Sequence, residues 1–139
     1  MSMTDMESFF TRQVANEGVE LPLFLPGTTT PSGHWIRVRG VDSDEFRLAQ
    51  DKSRREVAEI VQLPEPERSE RRLAQQRALI AALVISWSFS KPCTFENVVE
   101  FLKEAPQIED AINQVAARRS LFFKNGSSNT SDSLDPSSN

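Results

Sequence analysis

One cysteine, one histidine and five glycines are all that 139 residues offer of the types on which much small-protein chemistry depends. A lone Cys93 excludes an intramolecular disulfide and fits a reducing compartment. With His34 as the sole and remote histidine, neither a thiol–imidazole pair nor a metal-ligand set has enough members. The glycines do not cluster, so there is no glycine-rich phosphate loop. Long apolar runs are missing too. The most apolar stretch, Ala78–Ile85, has eight residues, whereas a bilayer-spanning helix needs about 20. The opening MSMTDMESFF shows neither a basic n-region nor an apolar h-region. A soluble, intracellular chain is expected.

Positive charge is in the minority. Sixteen Lys and Arg stand against 20 Asp and Glu, for a formal net charge of −4 and a pI near 5.1. That balance disfavours nucleic acid and anionic membrane as partners. The basic pairs Arg54-Arg55, Arg71-Arg72 and Arg118-Arg119 lie among glutamates or on helix shoulders and read as solvated faces. The carboxylates read as caps, helix-dipole residues or exposed faces, and no pair stands out as acid and base. No catalytic, cofactor or metal site is expected, and the chain reads as a non-enzyme.

What is present is pattern. Asp5 is placed to cap a short helix carrying Met6, Phe9, Phe10 and Val14 and ending near Gly18. Pro22 and Pro26 keep Val19–Leu25 out of helix and suggest an edge strand. After the turn residues PGTTTPSG, His34–Arg39 alternates, with Ile36 and Val38 on one face and Trp35, Arg37 and Arg39 on the other. This predicts an antiparallel hairpin. Asp42 or Ser43 then caps a helix with the stripe Phe46, Ala49, Ser53, Val57 and Ile60. A further helix is expected from Pro66 to about Trp87, supported by a Glu67–Arg71 pair. Thr94 caps a short helix that turns Phe95, Val98, Val99 and Leu102 inward. Pro106 starts the last one, with the stripe Ile108, Ala111, Ile112, Val115, Ala116 and Phe122. From Lys124 onward the serine- and asparagine-rich sequence should be disordered.

The expected fold is therefore mainly α with a small N-terminal β-hairpin, an α+β domain of about five helices. One domain spans 1–124, with helix and hairpin in 1–41 and a helical bundle in 42–124. A tail follows over 125–139.

Two stretches carry a resemblance. Trp35-Ile36-Arg37-Val38-Arg39 with Asp42-Ser43 is the first, and Ala105-Pro106, Ile108, Ile112, Ala116, Arg119 and Phe122-Phe123 the second. Together they resemble the tail assembly chaperones of long-tailed bacteriophages, over residues 1 to about 124. The resemblance implies a host-cytoplasmic protein absent from the finished virion. It would bind the apolar, helical tape measure protein, keep it soluble and help recruit tail tube protein. It also implies a longer form made by a programmed −1 frameshift, and the codons of Leu121-Phe122-Phe123 can form a slippery run. Self-association is left open. Tape measure binding calls for an apolar groove. The candidates to line it are Leu83, Ile85, Trp87 and Phe89 at the end of the third long segment, and Val99, Leu102, Ile112, Val115 and Phe122 on the last two helices. Phe123 would stand at its rim. Two competitors are a small structural protein of the tail or head–tail joint, and a regulatory adaptor using residues 67–104 as a helix-turn-helix.

Overall fold

Residues 5–123 are described by a computed structural model, and its elements follow most of the punctuation in the sequence. A 3-10 turn at Met6–Phe9 leads into α1 (Arg12–Glu17). Strands β1 (Val19–Phe24) and β2 (Pro31–Val38) form the hairpin. Helices α2 (Asp44–Ile60) and α3 (Glu67–Ala81) come next, then β3 (Val84–Trp87). Helices α4 (Phe95–Glu104) and α5 (Pro106–Ala117) and a 3-10 turn at Arg119–Phe122 complete the described chain. The fold is mixed α+β and mostly helical, with one antiparallel sheet in the order β1-β2-β3. The expected tail, 125–139, lies outside the described residues.

Two of the three expected caps form, while Asp5, which precedes the first turn, makes no side-chain cap bond. Ser43 Oγ accepts from Phe46 N–H at 3.3 Å, and Thr94 Oγ1 accepts from Asn97 N–H at 3.2 Å. β1 is the proline-bearing edge strand, and Ile36 and Val38 of β2 face a core they enter completely. One apolar cluster joins these residues to Phe46, Ile80, Leu83, Val98, Leu102 and Ile112.

The main correction is β3. The helix expected to reach Trp87 stops at Ala81, and Val84–Trp87 pairs with β2 through Ile36↔Trp87, Arg37↔Ser86 and Val38↔Val84. An apolar run polar on no face has no phase, so periodicity cannot separate helix from strand. The β-branched Val84 and Ile85 and the open edge of β2 decide it. Arg39 holds the corner, with its Nη1 donating to the carbonyls of Ala82 at 2.9 Å and Val84 at 3.1 Å. Gly18 makes the close approach possible on the other side. It has φ +78°, and a Cβ there would stand 2.6 Å from Ile85 Cδ1 and 2.7 Å from the Val38 carbonyl oxygen. Residues 67–104 thus hold a helix, a strand and a helix, which removes the geometry a helix-turn-helix needs.

Smaller corrections follow from burial. The first helix is broken at Phe10–Thr11, and Met6, Phe9 and Phe10 are exposed because nothing packs over the turn. Val57 and Phe95 point outward; Phe46 and Ile60 serve the core on α2, and Val98 and Leu102 on α4. The Glu67–Arg71 pair does not form among the described residues. Glu65 instead accepts from Ser69 N–H and from its hydroxyl at 3.1 and 2.7 Å, and pairs with Arg68 at 3.2 Å. The last helix ends at Ala117, so Phe122 is no part of its stripe. Leu121 and Phe122 fold back instead to bury against Val14 and Ala15 of α1. Gly40 permits this, since a Cβ there would lie 2.9 Å from Ala15 Cβ and 3.1 Å from the Phe122 ring.

Asp42 binds these parts together. Its carboxylate accepts from Arg119 Nε and Nη2 at 2.9 and 3.0 Å, from Thr11 Oγ1 at 2.8 Å and from Arg47 Nη2 at 2.9 Å. Arg119 above all, aided by the Thr11 and Arg47 hydrogen bonds and opposed by partial burial, holds the Asp42 carboxyl down to about 2. Next to it, Arg12 forms a two-pronged pair with Asp44, both contacts at 2.8 Å.

Candidate partner-binding groove

The apolar surface lies where the hairpin meets the last two helices. β1 supplies consecutive residues, Leu21 to Phe24, and the turn adds Leu25 and Pro26. A half-buried edge strand needs apolar residues only at alternate positions. Here Leu23 points into the core while Phe24 and Leu25 remain about half exposed. The facing wall is Phe101 and Ala105 from the end of α4 and Ile108 and Ala111 from α5. Pro106 bends the chain between these helices at the groove's edge, placing both on one side.

The floor is aromatic. Phe89 stands 4.7 Å from the His34 ring, 5.2 Å from Phe101 and 5.3 Å from Trp87, centroid to centroid, and Trp87 lies 5.6 Å from Phe101. These tilted and edge-on contacts are the favourable ones for rings. Polar edges are satisfied within the cluster. Trp87 Nε1 donates to the Lys91 carbonyl at 2.7 Å, and His34 Nδ1 lies 3.0 Å from Ser88 Oγ. Ser88 Oγ also accepts from Trp35 N–H at 2.8 Å, tying the post-β3 segment to β2. The groove encloses about 730 Å³ and is open to solvent.

Of the residues expected to line a partner site, Phe89 alone lines this groove. Trp87 supports its floor from beneath, nine-tenths buried. Leu83, Leu102 and Ile112 are fully buried in the main core and Phe122 in the α1 cluster, so none of the four offers a contact surface. Apolar stripes mark what a helix buries, and here each meets another element of the same chain. Ile85, Val99, Val115 and Phe123 are half-buried and outside the groove lining, with Val99 and Val115 packed against the core. Missed were Leu21 to Leu25 as a groove wall, read as part of an edge strand, and the part of Phe101. The signal available was the unbroken apolar run LPLFLP on a strand expected to be half-solvated.

Chemistry is sparse elsewhere. Among the described residues no three His, Cys, Asp or Glu come together as a metal site, and no helix is long and apolar enough to cross a membrane. Burial pushes the Cys93 thiol up, away from the thiolate a nucleophile requires. No protein-family model, curated protein or solved structure matches the chain.

Proposed function

We propose that this protein is a non-enzymatic assembly chaperone of the long-tailed phage type, which shields an apolar helical segment of a tape measure protein until tail tube subunits enclose it. The observation that carries the reading is the groove between β1 and the α4–α5 corner. It is a largely apolar cleft of about 730 Å³ with an aromatic floor, on a charged body. Such a cleft suits an amphipathic helix, which lays one apolar face into it and leaves its polar face in water. The net charge of −4 keeps the carrier soluble while it holds a greasy client. In this reading the protein acts in the host cytoplasm, helps recruit tube protein and leaves before the virion is complete. The frameshifted longer form is tested by the nucleotide sequence over residues 121–123, where codons that break the slippery run remove it unless another slippery site lies nearby.

The test is co-expression with fragments of any long, coiled-coil-like protein that the neighbouring genes encode. A fragment should co-purify with the wild type and be lost from a Phe24→Ser/Leu25→Ser variant that unfolds at nearly the same temperature. Retention by the folded double variant refutes the groove. A second reading, a structural tail protein kept in the particle, draws on the exposed Met6, Phe9 and Phe10, which offer a separate contact surface. Mass spectrometry of finished virions separates the two, since a chaperone should be absent there.

A further inference from the structure

We propose that the groove selects an amphipathic helix whose apolar stripe is bordered on one flank by lysine or arginine. This deepens the reading of the groove as a helix-binding site and rests on it. The inside of the groove carries no formal charge, because Leu21–His34 contains no Asp, Glu, Lys or Arg. Its α4 rim differs. Val98 and Leu102 define the core side of α4, and Phe101 stands about 80° round the helix from them, facing the groove. Continuing in the same direction, Glu104 stands about 60° and Glu100 about 100° beyond Phe101, which puts two carboxylates outside the aromatic wall, while Glu96, the next in the row, is turned to the far side of the helix. All three are exposed, and none forms a salt bridge among the described residues.

The imbalance is local. Phe95–Ala111 carries five carboxylates (Glu96, Glu100, Glu104, Glu109, Asp110) against Lys103 alone, a net −4 equal to that of the whole chain. Arg77 pairs with Glu109 at 3.7 Å, on the side of α5 that meets α3, and leaves the α4 row untouched. A helix seated against Phe101 therefore meets Glu100 and Glu104 on one flank and the uncharged residues 21–34 of the hairpin on the other. Cationic side chains on the α4 flank gain attraction and lose little solvation, and anionic ones are repelled.

Two other occupants fit less well. An added strand needs backbone donors and acceptors from β1, and Pro22 and Pro26 have no N–H to give. A second copy of this chain could offer its exposed Met6–Phe10 hook, but Asp5 and Glu7 would bring acid to an acidic rim.

The test uses the full chain and two synthetic peptides of about 18 residues, long enough to be helical. They share leucines at i, i+3, i+4 and i+7 and carry either lysine or glutamate along one flank. Fluorescence anisotropy should show the lysine peptide binding at least about tenfold more tightly, as expected from a few exposed ion pairs plus the repulsion avoided. That preference should shrink when salt rises from about 50 mM to about 500 mM. It should collapse in Glu100→Gln/Glu104→Gln, whose exposed substitutions leave the circular dichroism spectrum unchanged. Equal binding of both peptides, abolished by Phe24→Ser/Leu25→Ser, overturns the charge selection and leaves the groove standing. No binding of either peptide, or binding that the Phe24/Leu25 variant leaves intact, overturns the helix-binding groove itself.

Discussion

Replacing Asp42 with asparagine removes the charge on which three separate segments converge while keeping the size of the side chain. Thr11 before α1, Arg47 in α2 and Arg119 in the final turn all donate to this one carboxylate. Its folded-state pKa of about 2, against an ordinary 3.8, corresponds to about 2.4 kcal/mol at 1.36 kcal/mol per pKa unit. The Arg119 and Arg47 side chains are 56% and 52% exposed, and solvent screening lowers the expected loss to about 1–1.5 kcal/mol. Urea unfolding followed by the fluorescence of Trp35 and Trp87 reads this directly. With a slope of about 2 kcal/mol/M, the midpoint of Asp42→Asn should fall by about 0.5–0.8 M at pH 7. The pH dependence fixes the cause. Because the folded carboxyl is depressed, the unfolded chain takes up the proton first as pH falls. The stabilisation is complete above the ordinary pKa of 3.8, declines below it, and is lost as pH passes through about 2. The gap between wild type and variant should close over that window. An unchanged midpoint at pH 7 refutes the clasp, and a gap that persists at pH 2 refutes its electrostatic origin.

Other substitutions separate core from groove. Leu83→Ala removes a fully buried side chain and should cost about 3–5 kcal/mol by chemical unfolding. At temperatures where it remains folded it should still retain a tape measure fragment, which a surface role for Leu83 would not allow. Gly18→Ala forces a side chain onto φ +78° and into Ile85 and the Val38 carbonyl. It should destabilise by about 2–4 kcal/mol, with the drop in melting temperature as the readout and an unchanged value refuting the close approach.

The hairpin, the capped starts of α2 and α4 and the Pro106 start of α5 were legible because each is written locally. Alternation, an N-cap hydroxyl or a proline decides the structure within a few residues. β3 was not legible, because ALIAALVISW has no polar phase and its conformation is chosen by β2, 46 to 51 residues away. Phe122 misled for a related reason. Its spacing continues the α5 stripe, yet its burial depends on Ala15 and Gly40. The groove exists only where residues 21–26 and 101–111 meet, so no single stretch of sequence could display it. What the stripes did reveal was the core, and the partner surface is built largely from what the stripes left over.

The burial of Leu121 and Phe122 against α1 anchors the last described turn on the first helix. That anchor lies beyond the C-terminal end of α5, whereas the groove takes Ile108 and Ala111 from its first half. A helix of 12 residues is about 18 Å long, so α5 works as a spacer. The turn at Arg119–Phe122 therefore sits at one end of that spacer and the groove at the other. A fluorophore on its exposed Ser120 can then be placed without entering the cleft.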